Sequence, residues 1–444
     1  MPSHRLSAPL AFVAVSLVAV PAARADLMQY VKKADPSFVW KLKKKDTVPS
    51  GTLYYLDLTS QTWQGIKWDH VLQVYLPKDV KPTATMVLYN QGGKPNPGST
   101  NFCVTLAAKA RAPVAFLYGI PNQPLLGKKV EDALIAETFV RYLKTGDANW
   151  PLLFPMVKSL MRAMDALQVF ARQEWKQEVA KFVVTGASKR GWTSWLTAAA
   201  DPRVKAVAPL VIDTLKMDKQ MPHQLKSFGK YSDMIKDYTN TGLVPMPKTP
   251  EAKALWKMVD PWAFREKLTM PKMIINGTND PYWAQDALNL YWKDLQGDKW
   301  VLYVPNAGHN LAQKKPGSKA EDHTRVLNTM AAFARHEITD NPMPRLSWKH
   351  DQADGKYRLT VQCKPAPKEA RVWVADSPSR DFRKATWTEQ PLKVEEGTVT
   401  AAVTAPKEGF RTFFIECTYE MDEMAYFLST QLRMIGKAGK SSRE

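Results

Sequence analysis

Residues 183–195 read VVTGASKRGWTSW, an apolar strand ending in a turn at Gly186, with Ser188 in the turn and a helical pattern directly behind it. A serine held at such a turn stands above the end of its strand with the hydroxyl exposed, and the backbone N–H groups that follow point toward the oxygen of a bound carbonyl. Gly186 keeps the sharp turn free of a side-chain clash. The helix start adds a dipole that favours negative charge. The pattern is G-x-S-x-x-G, because Arg190 occupies the place where the usual nucleophile elbow carries its second glycine. Taken alone, the stretch also suits a serine that only caps a helix.

The neighbouring strands decide between the two. An α/β-hydrolase places its partners in the order serine, acid, histidine, each in the loop after a later strand. MIINGTNDPYW (273–283) puts Asp280 behind one apolar run, and WVLYVPNAGHNL (300–311) puts His309 behind the next. Serine needs a base to take its proton, and the base needs a carboxylate to hold its tautomer and stabilise the imidazolium. Asp286 is a competing acid, farther from the strand end. Upstream, MVLYNQGGKPNPG (86–98) follows an apolar strand with glycines that allow close backbone approach. The N–H groups of Gln91 and Lys189 are the expected oxyanion hole, with Gly92 as substitute for Gln91.

Other residues near these loops have expected contacts with substrate. Lys189 and Arg190 set cations beside the nucleophile, where either would stabilise an oxyanion or clamp an anionic group. Tyr282 and Trp283, just after the acid, are placed to line a pocket, and Asp213 ends a strand where it would meet a cationic group. Trp63, Trp68 and His70 are expected to brace the N-terminal strands, and Trp192 and Trp195 to pack the helix on the sheet.

The fold class follows from the order of the patterns. MVLYN (86–90), VAFLYG (114–119), FVVTG (182–186), AVAPLVID (206–213), MIING (273–277) and WVLYVP (300–305) alternate with helical stretches. That alternation gives an α/β chain with a mostly parallel sheet and crossover helices. Residues 214–260, too long for a simple crossover, read as a helical cap inserted in an α/β-hydrolase domain spanning 26–340. After Asn341 the helical patterns stop, and strand patterns over 341–435 give a small antiparallel β-sandwich, with a polar tail over 436–444.

Composition narrows the function class. With 45% hydrophobic and 24% charged residues in 444, the chain buries a large core and is neither disordered nor a disulfide knot. Residues 1–25 carry a charged start, a short apolar run and Ala23-Arg24-Ala25, a secretory signal peptide pattern. The expectation is an exported, periplasmic or secreted protein without a transmembrane span in its mature form. The formal charge of +19 is spread along the chain and favours contact with an anionic envelope surface. No nucleic-acid motif is present, and no His or Cys pair has metal-ligand spacing, so no metal or cofactor is expected. Of three cysteines, Cys363 and Cys417 lie on expected strands and could pair, leaving Cys103 alone.

Several stretches resemble one family. TGASKRGWTSWLTAAADPRVKAVAPLVID (185–213), WPLLFPMVKSLMRAMD (150–165), INGTND (275–280), VPNAGH (304–309) and W-x-x-x-x-W-x-H (63–70) are similar to the PhoPQ-activated pathogenicity-related protein family, as is the basic, aromatic C-terminal region. The resemblance covers nearly the whole mature chain. It implies an exported α/β-hydrolase fold, with Ser188, Asp280 and His309 as the matching positions. It implies a link to virulence or envelope defence and brings no substrate. Two functions follow: a serine hydrolase acting on an ester or peptide bond of a small-molecule or peptide substrate, and a non-catalytic exported binding or signalling protein on a hydrolase scaffold.

Overall fold

The structure, a computed structural model, describes residues 26–314, 320–353 and 355–437. The signal peptide expected over 1–25 lies outside the described residues. The chain enters through α1 (Leu27–Lys32), capped by Asp26, whose carboxylate accepts from the Gln29 N–H. Three long strands follow, β1 (Val39–Val48), β2 (Gly51–Trp63) and β3 (Ile66–Pro77), paired antiparallel in sequence.

From β4 (Thr85–Asn90) strands alternate with helices: α2 (Pro97–Ala110), β5 (Val114–Leu117), α3 (Glu131–Thr145), α4 (Leu153–Trp175), β6 (Lys181–Ala187), α5 (Lys189–Ala200) and β7 (Val204–Leu210). The stretch read as a cap carries α6 (Met217–Phe228), α7 (Lys236–Asn240) and α8 (Pro250–Val259). β8 (Lys272–Gly277) and β9 (Lys299–Val304) follow. β5, β4, β6, β7, β8 and β9 lie side by side in that order, all parallel, and β3 joins β5 antiparallel.

Both faces of this sheet are covered, which is why its central strands are apolar throughout. β4 is buried along its whole length. One face packs on α4 and α5 through Phe154, Leu160, Phe170 and Trp195. The other packs on α2 and α9 (Thr324–Thr339) through Leu106, Met330 and Phe333. Each such side chain contributes about 1.5–3 kcal/mol by leaving water. Trp63 and Trp68 stack edge-on at 5.8 Å, and His70 bonds Ser60 Oγ through Nε2 (2.9 Å) and the Tyr118 carbonyl through Nδ1 (3.1 Å), so these residues brace β2 and β3. Burial lowers the His70 pKa to about 4, which keeps the ring neutral in the core.

The region after Asn341 departs in one respect from a free-standing sandwich. A short β10 (Gln313–Lys314) and β11 (Glu321–Asp322) precede α9. Beyond it come β12 (Arg345–Ala353), β13 (Lys356–Lys364), β14 (Glu369–Ser377), β15 (Thr388–Leu392), β16 (Val394–Glu395), β17 (Thr398–Thr404), β18 (Phe410–Met421), β19 (Met424–Ser429) and β20 (Arg433–Gly436). β12, β13, β17 and β16 form one antiparallel sheet; β19, β18, β14 and β15 form the other. β19 also meets β9, at Ser429 and Val301, so this second sheet continues the central one. An edge that β9 would otherwise present to solvent is covered. β20 pairs with β18, which places Gly436 in the sheet rather than in the tail. No helix among the described residues is long and apolar enough to cross a membrane.

Candidate active site

Ser188 joins β6 to α5 with φ 57° and ψ −125°, a backbone region that costs a non-glycine residue about 1–3 kcal/mol. Neighbours hold it there. Its N–H donates to the Leu210 carbonyl (2.9 Å), and its own carbonyl accepts from Trp192 N–H (2.9 Å). The Asn90 side-chain amide, at the end of β4, donates to the carbonyls of Thr185 (2.8 Å) and Arg190 (3.1 Å) and to Ser194 Oγ (2.9 Å). A Cβ on Gly186 would stand 2.5 Å from that amide nitrogen, so the turn requires glycine.

Arg190 explains the departure from the usual elbow. Its Nε donates to the Ile120 carbonyl (2.5 Å), and its two Nη atoms meet both oxygens of Glu131 at 2.6 Å. A Cβ on Gly92 would come within 2.1 Å of the guanidinium, so glycine there makes room for the arginine. The expectation that Arg190 contacts an oxyanion or substrate is thereby corrected: its guanidinium ties the elbow to the start of α3. Burial works against ionisation of Glu131, but the hydrogen bonds and charge of Arg190, aided by Gln123 and Lys189, outweigh it and hold the carboxyl at about 2.

Lys189, next in line, places Nζ 2.8 Å from Asp132 Oδ2 and 5.8 Å over the Tyr282 ring. The Tyr238 hydroxyl donates to the other Asp132 oxygen (3.0 Å). The lysine cation is therefore already paired beside Ser188. Asp213 is fully occupied too: the Tyr291 hydroxyl donates to one oxygen and the Asn276 amide to the other (3.0 Å). Burial raises its pKa to about 7, with Asp280 and Asp286 adding to the push and the two hydrogen bonds opposing it. A role for Asp213 in meeting a cationic substrate group does not fit that arrangement.

Asp280 and His309 come together as their loops predict. Asp280 Oδ2 lies 2.8 Å from His309 Nδ1, and Oδ1 accepts from the Tyr282 N–H (2.7 Å). A carboxylate accepts, so Nδ1 donates, and in the neutral ring Nε2 is then the acceptor. That Nε2 is buried and has no partner among the described residues, Ser188 Oγ included. The Tyr282 ring covers the imidazole with centroids 4.2 Å apart. Asp286, the competing acid, instead meets His223 Nε2 of α6 at 2.7 Å.

Of the oxyanion donors, Gln91 is displaced. Its N–H donates to the Leu117 carbonyl (2.8 Å) as a rung of the sheet. Gly92 is the next residue along the chain, and Lys189 is the first residue of α5.

Ser188, Lys189, Tyr282 and Trp283 line a narrow cavity, closed by Trp192 and the cap residues Met217, Met221 and Trp256. Its wall is largely apolar, and its charges, Lys189 and Asp132, are paired with each other. Asp132, Glu131 and Tyr238 were not among the residues singled out in the sequence. The readable signal was Glu131-Asp132 at a helix start, complementary to Lys189-Arg190 at another. Among the described residues no group of three or more His, Cys, Asp or Glu could hold a metal ion.

The family model described as PhoPQ-activated pathogenicity-related protein matches residues 27–383. The chain is 31% identical over 432 residues to the autocrine proliferation repressor protein A of Dictyostelium discoideum, an alignment covering 88% of this chain and 85% of that one. Among solved structures it is similar to the acetyl xylan esterase from Paenibacillus sp. R4, at TM-score 0.47 and 11% identity over 65% of this chain and 88% of that one. It is also similar to the S-formylglutathione hydrolase from Agrobacterium tumefaciens, at TM-score 0.44 and 12% identity over 67% of this chain and 99% of that one.

The Glu131–Arg190 pair makes a pH-dependent contribution of known sign. With the folded carboxyl at about 2 and its ordinary value 4.5, the stabilisation is complete above 4.5 and is lost as pH falls through 2. Urea midpoints of wild type and Glu131→Gln should therefore differ by a constant amount above pH 5, and the gap should narrow from pH 4.5 toward pH 3. A gap independent of pH would remove the charge from the explanation.

Proposed function

The chain belongs to the PhoPQ-activated pathogenicity-related protein family, and on that premise we propose that it is an exported serine hydrolase using Ser188, His309 and Asp280. One observation carries the reading. Ser188 is held in a strained strand-to-helix turn at the cavity wall, in a chain where His309 and Asp280 pair at 2.8 Å. A side chain that merely capped a helix would accept from the helix's first turn, and Ser188 makes no such bond.

In the proposed reaction His309 Nε2 takes the proton of Ser188 as Oγ attacks the substrate carbonyl carbon. The carbonyl oxygen becomes an oxyanion, stabilised by the N–H groups of Gly92 and Lys189. Asp280 keeps the Nδ1 proton in place and offsets the charge of the imidazolium. The imidazolium then gives its proton to the leaving oxygen or nitrogen, the bond to it breaks, and an acyl group remains on Oγ. Water, deprotonated by the same Nε2, attacks the acyl carbon; the acyl–Oγ bond breaks, the imidazolium returns its proton to Ser188 Oγ, and the acid is released. In this reading the Ser188–His309 hydrogen bond forms with substrate present, since catalytic hydrogen bonds are commonly loose before substrate binds. The apolar, charge-balanced cavity favours an uncharged apolar group next to the scissile bond, whether ester or amide.

A second reading keeps the fold and drops the chemistry. The relative from Dictyostelium discoideum is named for repressing proliferation, which suits an exported signalling protein on a hydrolase scaffold, and a basic surface of this kind suits an anionic envelope.

A fluorophosphonate probe separates the two. Folded wild type should be labelled at Ser188, and labelling should vanish in Ser188→Ala. On a panel of nitrophenyl esters and aminoacyl anilides, Ser188→Ala should lose about 10⁴-fold or more in kcat. Asp280→Asn should also be severely impaired, and Asp286→Asn should stay close to wild type. Wild type that folds but is neither labelled nor active would put the signalling reading first.

A further inference from the structure

The segment between β14 and β15 leaves the C-terminal sandwich and lies on the two loops that carry Asp280 and His309. Asn279, the residue before the acid, donates from its side-chain amide to the carbonyls of Ala385 (2.7 Å), Phe382 (3.2 Å) and Arg383 (3.4 Å). Asn306, three residues before the base, exchanges two bonds with the Trp387 backbone, accepting from its N–H (2.8 Å) and donating to its carbonyl (2.9 Å). Thr278 Oγ1 links the two loops, donating to Asn279 Oδ1 (2.8 Å) and accepting from the Asn306 N–H (2.9 Å). Phe382 and Trp387 are almost wholly buried, which anchors the segment at both ends. Between them the Arg383 guanidinium sits 3.9 Å over the ring of Phe228, the last residue of α6.

From this we infer that residues 378–387 are a brace that aligns the Asp280–His309 pair, with Asn279 and Asn306 as positioning residues, so that the C-terminal domain completes the active site. The inference rests on the proposed hydrolase reading. The Asn279 amide N–H groups, and both the N–H and the carbonyl oxygen of the Asn306 amide, bond to backbone of the segment between β14 and β15, next to Asp280 and close to His309. Such amides fix loop position at the scale of tenths of an ångström, which is the scale on which proton transfer depends.

The test is a double-mutant cycle in the full mature chain. Asn279→Ala should lower kcat at least tenfold with KM little changed, and should shift the acid limb of the kcat–pH profile. In an Asp280→Asn background the same substitution should cost little more, because it acts through Asp280. Asn306→Ala should behave alike. Equal fractional losses in both backgrounds, or a folded Asn279→Ala with wild-type kcat and pH profile, would overturn the brace. Should wild type itself prove inactive, the hydrolase reading fails separately. The brace is then decided by the low-field proton resonance of His309 Nδ1, retained in wild type and lost or moved in Asn279→Ala if the inference holds, unchanged if it does not.

A different observation carries a second inference, independent of catalysis. Cys363 of β13 and Cys417 of β18 lie on the two facing sheets of the C-terminal sandwich with their Sγ atoms 3.7 Å apart. We propose that they form an inter-sheet disulfide when the protein meets an oxidising disulfide. Cys363 is half-buried and reachable, whereas Cys417 is fully buried. The hydrogen bond from Cys417, joined by Tyr419, favours the Cys363 thiolate against its burial, which makes it the first nucleophile. Its sulfur attacks one sulfur of the oxidant and expels a thiolate. Cys417 then loses its proton, attacks Cys363 Sγ in the mixed disulfide and expels the second thiolate. Two electrons and two protons pass to the oxidant in all. Cys103, buried in α2 and donating to the Val114 carbonyl, is left as a thiol.

Reduced mature protein treated with oxidised glutathione should lose two hydrogens in mass and, once denatured, take up one alkylating group, at Cys103. Its urea midpoint should rise on oxidation, since the bridge closes a loop of 54 residues. Cys363→Ser should show neither change. Three alkylated cysteines after oxidation, or a glutathione adduct that persists on Cys363, would overturn the bridge.

Discussion

The site depends on the backbone of Ser188 being kept in a conformation it would not choose. Its φ of 57° and ψ of −125° cost about 1–3 kcal/mol. The two N–H groups of the Asn90 amide, shared among three acceptors and worth about 1 kcal/mol each, offset much of that. The Arg190–Glu131 pair adds a second restraint from the opposite side of the turn. Because Asn90 ends β4 and Glu131 begins α3, the strain is carried by the sheet and a crossover helix rather than by the loop alone. Two glycines, Gly186 and Gly92, are where these restraints need space.

Around that turn, the parallel strands deliver the remaining parts to one edge of the sheet. β8 leads to Asp280 and β9 to His309, while β4 leads to Gly92. The cap closes the cavity over Ser188 with methionine and tryptophan side chains, and the His223–Asp286 pair fastens α6 to the acid-bearing loop. The C-terminal sandwich shares its sheet with the central one and reaches back to the same loops. A molecule assembled this way has little freedom to move the loops of Asp280 and His309 independently of its C-terminal region.

Much of this was legible in the sequence, for physical reasons that differ by element. Strands buried on both faces are continuous apolar runs, so β4 to β9 stood out, and a residue just after a strand end is tied to one edge of the sheet. That is why the loops of Ser188, Asp280 and His309 could be placed. Arg190 and Asp213 were read as substrate contacts because a charge near a nucleophile looks available. Only the fold reveals that Glu131, Tyr291 and Asn276 already occupy them. The Gln91 N–H is taken up by the Leu117 carbonyl, since a sheet rung extends one position beyond the strand. The continuity of the C-terminal sheet with β9 rests on the single pairing of Ser429 with Val301, and such a pairing leaves no periodic signal.

The most direct measurement of the central claim is a crystal structure of the mature protein after treatment with a fluorophosphonate. Phosphorus should be bonded to Ser188 Oγ, its phosphoryl oxygen within hydrogen-bond distance of the Gly92 and Lys189 N–H groups, and His309 Nε2 turned toward Oγ with Nδ1 still on Asp280. An unmodified Ser188, or an adduct whose phosphoryl oxygen faces neither amide, would contradict it.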